Sequence, residues 1–102
     1  MSQASISEAS SGVFSLVGVL DYQSAPALRV EGARLLKASQ ADAYVLDCGG
    51  VEKSSSVGVS LLLAFMRDAS AAGKKMSVRS LPKDMHEIAG VCGLLEILPL
   101  QS

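Results

Sequence analysis

Ala43-Tyr44-Val45-Leu46-Asp47-Cys48-Gly49-Gly50-Val51-Glu52-Lys53-Ser54-Ser55-Ser56-Val57-Gly58-Val59-Ser60-Leu61-Leu62-Leu63-Ala64-Phe65-Met66 is the stretch around which the chain is organised. It starts as an apolar, strand-like run and breaks at two glycines. A charged pair and three serines follow, and then a long apolar helix begins. A buried strand, a tight loop and a buried helix in that order place the loop at one end of a sheet. The first N–H groups of the helix are exposed there without helical partners, so recognition is expected at that end.

Upstream, residues 1–10 are small and polar, and the first few are expected to fray. They hold neither a basic segment nor an apolar run, so no secretory signal is read there. A short strand includes Ile6. Val13 to Leu20 reads as a better strand, apolar on both faces apart from Ser15 and therefore an inner one. Gly18 leaves a gap in one face for a neighbouring group. Asp21 to Ser24 reads as a turn into a helix, with Ser24 as N-cap and Pro26 tolerated in the first turn. Leu28, Gly32, Leu35 and Leu36 share one helical face, with Arg29, Arg34 and Lys37 toward solvent. A glycine at position 32 costs a helix about 1 kcal/mol, which a close helix–sheet approach would explain.

Tyr44 to Cys48 is nearly continuous in apolar residues and therefore central. In the helix after the serines, Val59, Leu62, Leu63, Met66 and Ala69 form one stripe, and Leu61, Phe65 and Ala72 form a second. Only Ser56, Ser60 and Arg67 mark a polar line. Such a helix must bury more than one side: the sheet can cover one stripe, and a neighbouring helix or another protein must cover the other. Gly73 ends it, with Lys74 and Lys75 complementing its dipole. Lys75 to Leu81 alternates as a half-exposed strand near the sheet edge. Pro82 starts a third helix with Met85, Ile88, Ala89 and Cys92 on its apolar face, closed by Gly93. Leu94 to Leu100 supplies one more short strand or turn.

The order is β-β-α-β-α-β-α. Strands joined through helices imply an α/β fold, a mixed and largely parallel sheet of four or five strands packed with three or so helices. With 102 residues and no linker or repeat, the chain reads as one domain over 1–102. A net charge of −1 without a basic stripe argues against nucleic acid or anionic lipid as partner. Cys48 and Cys92 read as reduced, core-filling thiols of a cytoplasmic protein. The longest apolar stretch, Val57 to Met66, is about half a membrane span, so no membrane insertion is expected.

Catalytic chemistry finds little support. Gly49 to Ser54 resembles a phosphate loop only loosely, because Glu52 stands where the glycine before Lys-Ser is needed. No nucleophile elbow surrounds any serine, and His86, the only histidine, falls off the apolar face of its helix. Metal, cofactor and small-molecule substrate are not expected. The serine loop remains. Ser55 or Ser56 can serve simply as an N-cap, yet three serines exceed what one cap requires. Ser54, Ser55, Ser56, Gly58, Val59 and Ser60 together describe a hydroxyl tip beside an apolar flank, suited to protein docking. A phosphate on Ser56 would add about −1.5 to −2 charges at the positive end of the helix.

These residues resemble the STAS domain, the family of bacterial anti-sigma factor antagonists and related modules. Leu16-Val17-Gly18-Val19-Leu20-Asp21 with Ala25-Pro26-Ala27-Leu28 is similar to the family's second strand, its glycine and the turn before the first helix. Val45 to Val51 is similar to its central strand and loop. Ser55-Ser56-Val57-Gly58-Val59-Ser60-Leu61-Leu62-Leu63 is similar to its Asp-Ser/Thr-x-Gly motif and following helix. Leu81-Pro82 and Ile88 to Pro99 resemble most the members that serve as small cytoplasmic subunits of an ABC transporter moving phospholipids to maintain outer-membrane lipid asymmetry. The resemblance implies a non-enzymatic subunit at the inner membrane that binds the transporter's ATPase. It implies Ser56 as the hydroxyl that is phosphorylated in the antagonists, and Gly58 as the motif glycine. The motif's aspartate position holds Ser55 here, which weighs toward docking over a phosphoswitch.

Overall fold

The computed structural model describes residues 4–100; the residues expected to fray lie outside them. Strands β1 (Ser5–Ser10), β2 (Val13–Leu20), β3 (Ala43–Ser54) and β4 (Lys75–Arg79) form one sheet in the order β1-β2-β3-β4. Helices α1 (Ala25–Ala38), α2 (Ser56–Ala71) and α3 (Lys83–Val91) each follow a strand. The β1–β2 pair is antiparallel, and β2–β3 and β3–β4 are parallel, so the sheet is mostly parallel. The hairpin turns at Gly12, whose φ of 79° suits glycine. A Cβ there would stand 2.6 Å from the Ala43 carbonyl oxygen.

Alternation along β2 buries Phe14, Leu16 and Leu20 in the core, while Val13, Ser15, Val17 and Val19 stay half-exposed on the other face. The inner position expected for this strand holds, but only one of its faces is fully buried. Phe14 meets the edge of Tyr44 with ring centroids 5.3 Å apart. The buried Tyr44 hydroxyl donates to the Leu36 carbonyl at 2.7 Å, satisfying both groups near the end of α1. β4 lies at the sheet edge, with Met76 and Val78 turned inward. Leu94 to Leu100 forms turns and a single parallel bridge, Val78 to Leu100.

Several expectations need correction. The two glycines do not break the central strand, and β3 runs on through them to Ser54. The missing Cβ of Gly50 makes room for Val17, whose Cγ2 would otherwise lie 2.8 Å away. Register shifts between Ser15 and Val17 and between Gly18 and Val19 absorb the irregularity. Gly32 faces another helix rather than the sheet: a Cβ would meet Phe65 Cε1 at 2.3 Å. Arg29 is not free in solvent, since its guanidinium lies over the Phe65 ring at 5.9 Å and forms a two-pronged ion pair with Asp68. Cys92 is exposed, not core-filling. Met85 and Ala89 already occupy the buried side of α3, the helix ends at Val91, and the Leu94 N–H turns back to the Ala89 carbonyl.

The second apolar stripe of α2 is covered from within. Leu61 and Phe65 are buried with Leu28 and Leu36 of α1 in the same core as Val59, Leu62 and Ala69. No other protein is needed to cover Leu61 and Phe65. Ala72, the third residue of that stripe, lies beyond the helix and is exposed.

Candidate functional site at the start of the second helix

The expected tip forms where β3 passes into α2, with Ser55 as the linking residue and N-cap. The Ser55 hydroxyl accepts the Val57 N–H at 3.3 Å, its carbonyl accepts the Gly58 N–H at 3.0 Å, and its own N–H reaches the Leu20 carbonyl at 3.0 Å. Of the two cap candidates, Ser55 is the one used. That leaves the Ser56 side chain exposed and without a capping duty.

The other predicted site residues divide by burial. Ser54 is 8% exposed, and its hydroxyl donates to the Ser55 carbonyl at 2.8 Å. Gly58 is buried because a Cβ would lie 1.9 Å from Ser54 Oγ and 3.1 Å from Leu20 Cδ1. Val59 is a core residue, 2% exposed. These three build the tip and are buried in it. Ser55, Ser56 and Ser60 are exposed.

Beside Ser60 runs an open groove of about 350 Å³ between the starts of α1 and α2. Tyr22, Ala25 and Pro26 form one wall, and Val57, Leu61 and Ala64 form the other. The apolar flank expected next to the hydroxyls is therefore narrow and shared between two helices. Tyr22, 76% exposed, was missed by sequence reasoning. A tyrosine inside a turn gave no sign of which way it would face. Asp21 sets that turn: its carboxylate accepts the Gln23 and Ser24 N–H groups at 3.0 and 2.9 Å. The Ser24 hydroxyl does not cap α1; it accepts the Asp21 N–H and donates to the Val19 carbonyl.

Asp84 is a second residue that sequence reasoning did not single out. Its Oδ2 accepts the Ser54 N–H and its Oδ1 the Met85 N–H, each at 2.8 Å. The only signal was an acid in the first turn of a helix.

A larger cleft of about 540 Å³ lies at the opposite helix ends, lined in part by Lys37, Tyr44 and Lys74. Its lysines stand where they complement helix dipoles, and the Tyr44 hydroxyl is already bonded to Leu36. No buried side-chain polar atom among the described residues lacks a partner. Nor does any group of three or more His, Cys, Asp or Glu among them have metal-binding geometry. His86 is exposed on α3. No helix among the described residues is long and apolar enough to cross a membrane.

The order of elements, the parallel strands and the serine-capped second helix define a STAS fold, and a family model matches residues 5–99. The chain belongs to the STAS domain family. The matching model is described as "Mlab, STAS domain". Similar solved structures include an anti-sigma factor antagonist from Mycobacterium paratuberculosis, 24% identical with a TM-score of 0.76, covering 96% of this chain and 83% of that one. SpoIIAA in its unphosphorylated form is 14% identical with a TM-score of 0.73, covering 97% and 88%. The phosphorylated form of SpoIIAA, a Bacillus cell fate determinant, is 16% identical with a TM-score of 0.66, covering 97% and 91%. At these identities the likeness speaks for the fold alone. No curated protein sequence matches the chain significantly.

Proposed function

We propose that this protein is a non-enzymatic accessory subunit of the MlaB type. In this reading it docks on the cytoplasmic, MlaF-like ATPase of a phospholipid ABC transporter and supports that transporter's assembly and activity. It reaches the inner membrane only through that partner. The observation that carries the reading is the exposed Ser56 hydroxyl on a tip whose Ser55, Val57 and Gly58 N–H groups are bonded, next to the Tyr22–Val57 groove. A rigid polar point beside an apolar slot suits a polypeptide surface. The description of the matching family model, "Mlab, STAS domain", supports the choice of the MlaB type.

Co-purification with the ATPase tests this. Ser56→Glu places a bulky charge at the contact and should weaken capture at least about tenfold, roughly 1.4 kcal/mol, with thermal unfolding unchanged. Ser56→Ala should bind nearly normally. Equal capture of wild type and Ser56→Glu would remove the tip from the interface.

A second reading has its own support. Ser56 stands in the first turn of a helix, where the dipole tolerates a phosphate, and SpoIIAA, of similar fold, occurs in a phosphorylated form. In that reading the chain is an anti-sigma factor antagonist switched by phosphorylation of Ser56. Intact-mass measurement on protein isolated from cells separates the two, since a single phosphate adduct mapping to Ser56 favours the antagonist.

A further inference from the structure

Strand β3 outruns its neighbour. Its pairing with β4 ends at Asp47 and Arg79, whereas its pairing with β2 continues to Leu20 and Ser54. The far end of β3 thus has a strand on one side only. At Ser54 the missing neighbour is replaced by one side chain: Asp84, from the first turn of α3, accepts the Ser54 N–H at 2.8 Å. Its other oxygen accepts the Met85 N–H at 2.8 Å, which fixes the carboxylate against its own helix. Both bonds are charge-assisted and partly shielded from water, conditions in which such bonds are strong.

What Asp84 holds is the entrance to the tip. The Ser54 hydroxyl is bonded to the Ser55 carbonyl and fills the space over Gly58, and Ser55 caps α2 through Val57 and Gly58. Each of these ties depends on where Ser54 stands. We propose that Asp84 is the positioning residue of the Ser55–Ser56 tip, standing in for an absent strand and making α3 and the start of α2 one unit. Asp84 acts on docking through Ser54, without contact to the partner. This consequence rests on the tip being the docking surface; the positioning itself does not.

Amide hydrogen exchange on the free, full-length protein reads the positioning. In Asp84→Ala the amides of Ser54, Val57 and Gly58 should exchange about tenfold faster or more, the scale set by losing one charge-assisted bond. The core amides of Leu46 and Val78 should keep their wild-type rates. Asp84→Asn, with a single acceptor oxygen and little change in size, should fall between the two and serves if the alanine variant does not fold. Asp84→Glu keeps the charge but not the reach and should not restore protection. Wild-type exchange at Ser54, Val57 and Gly58 in the alanine or asparagine variant would overturn the proposal, as would acceleration spread equally over the core. Binding to the purified transporter ATPase reads the consequence, with Asp84→Asn expected to weaken it in the same direction as Ser56→Glu. If Ser56→Glu abolishes binding and Asp84→Asn leaves it untouched, positioning for docking is refuted. If wild-type protein does not bind the ATPase, the proposed function fails, and the exchange rates alone decide the role of Asp84.

Discussion

A methyl group at position 58 would stand 1.9 Å from Ser54 Oγ, so the glycine of the Ser-Ser-Val-Gly run exists to let a buried hydroxyl sit beneath the helix. At the same scale, the two thiols differ by environment. Burial pushes the Cys48 thiol up from an ordinary 9.0 to about 12, with the Asp47 charge adding to the effect. Cys92 is exposed. Thiol labelling of the native protein at pH 8 should therefore modify Cys92 alone, and Cys48 should react only on unfolding. Rapid modification of both, by mass spectrometry, would contradict this environment. The sequence placed both cysteines inside because both sit in apolar periodic runs. That pattern could not show that α3 stops one residue before Cys92.

Among the elements, the α1–α2 contact decides how much of the apolar helix is left for a partner. Gly32 lets Phe65 lie against α1, and Arg29 closes over the ring while paired with Asp68. Gly32→Ala improves helix propensity by about 1 kcal/mol. It also forces a carbon to within 2.3 Å of Phe65 Cε1, and overpacking costs about 1–3 kcal/mol. The variant should therefore be destabilised in urea, and a stabilised one would show that the helices can slide apart. The element order and the three helix starts were legible because a serine or proline precedes an apolar period at each, although only Ser55 caps its helix through its side chain. Two things were not. Gly49-Gly50 reads as a break, but it is a strand accommodating Val17 of its neighbour. The antiparallel β1 also carried too weak a pattern, Ser5 to Ser10, to reveal its direction.

For the whole molecule, part of the dependence of stability on pH follows from two groups on neighbouring positions of β3. The Asp47 carboxyl is held below its ordinary 3.8 by the Gly49 N–H and the Arg79 guanidinium. The charged form is favoured by folding, so this contribution is present above that value and is lost as pH falls through the lower, folded one. The Cys48 thiol is favoured neutral, so its contribution is intact below 9.0 and declines as pH climbs toward about 12. Urea midpoints should be flat across about pH 5 to 8 and should fall on both sides. Cys48→Ala should flatten the alkaline arm alone. An alkaline arm unchanged in Cys48→Ala would assign it elsewhere.

Parallel pairing of β2, β3 and β4, each followed by a helix, starts all three helices at the same end of the sheet. Backbone dipoles make that end electropositive. Asp21 and Asp84 sit there, while Lys37, Lys74 and Lys75 gather where α1 and α2 finish. At these five positions side-chain charge opposes the polarity of the peptide groups. With a net charge of only −1, the molecule exerts little pull from afar: encounter rates should change little with ionic strength, and selectivity has to be decided in the last few ångströms of approach.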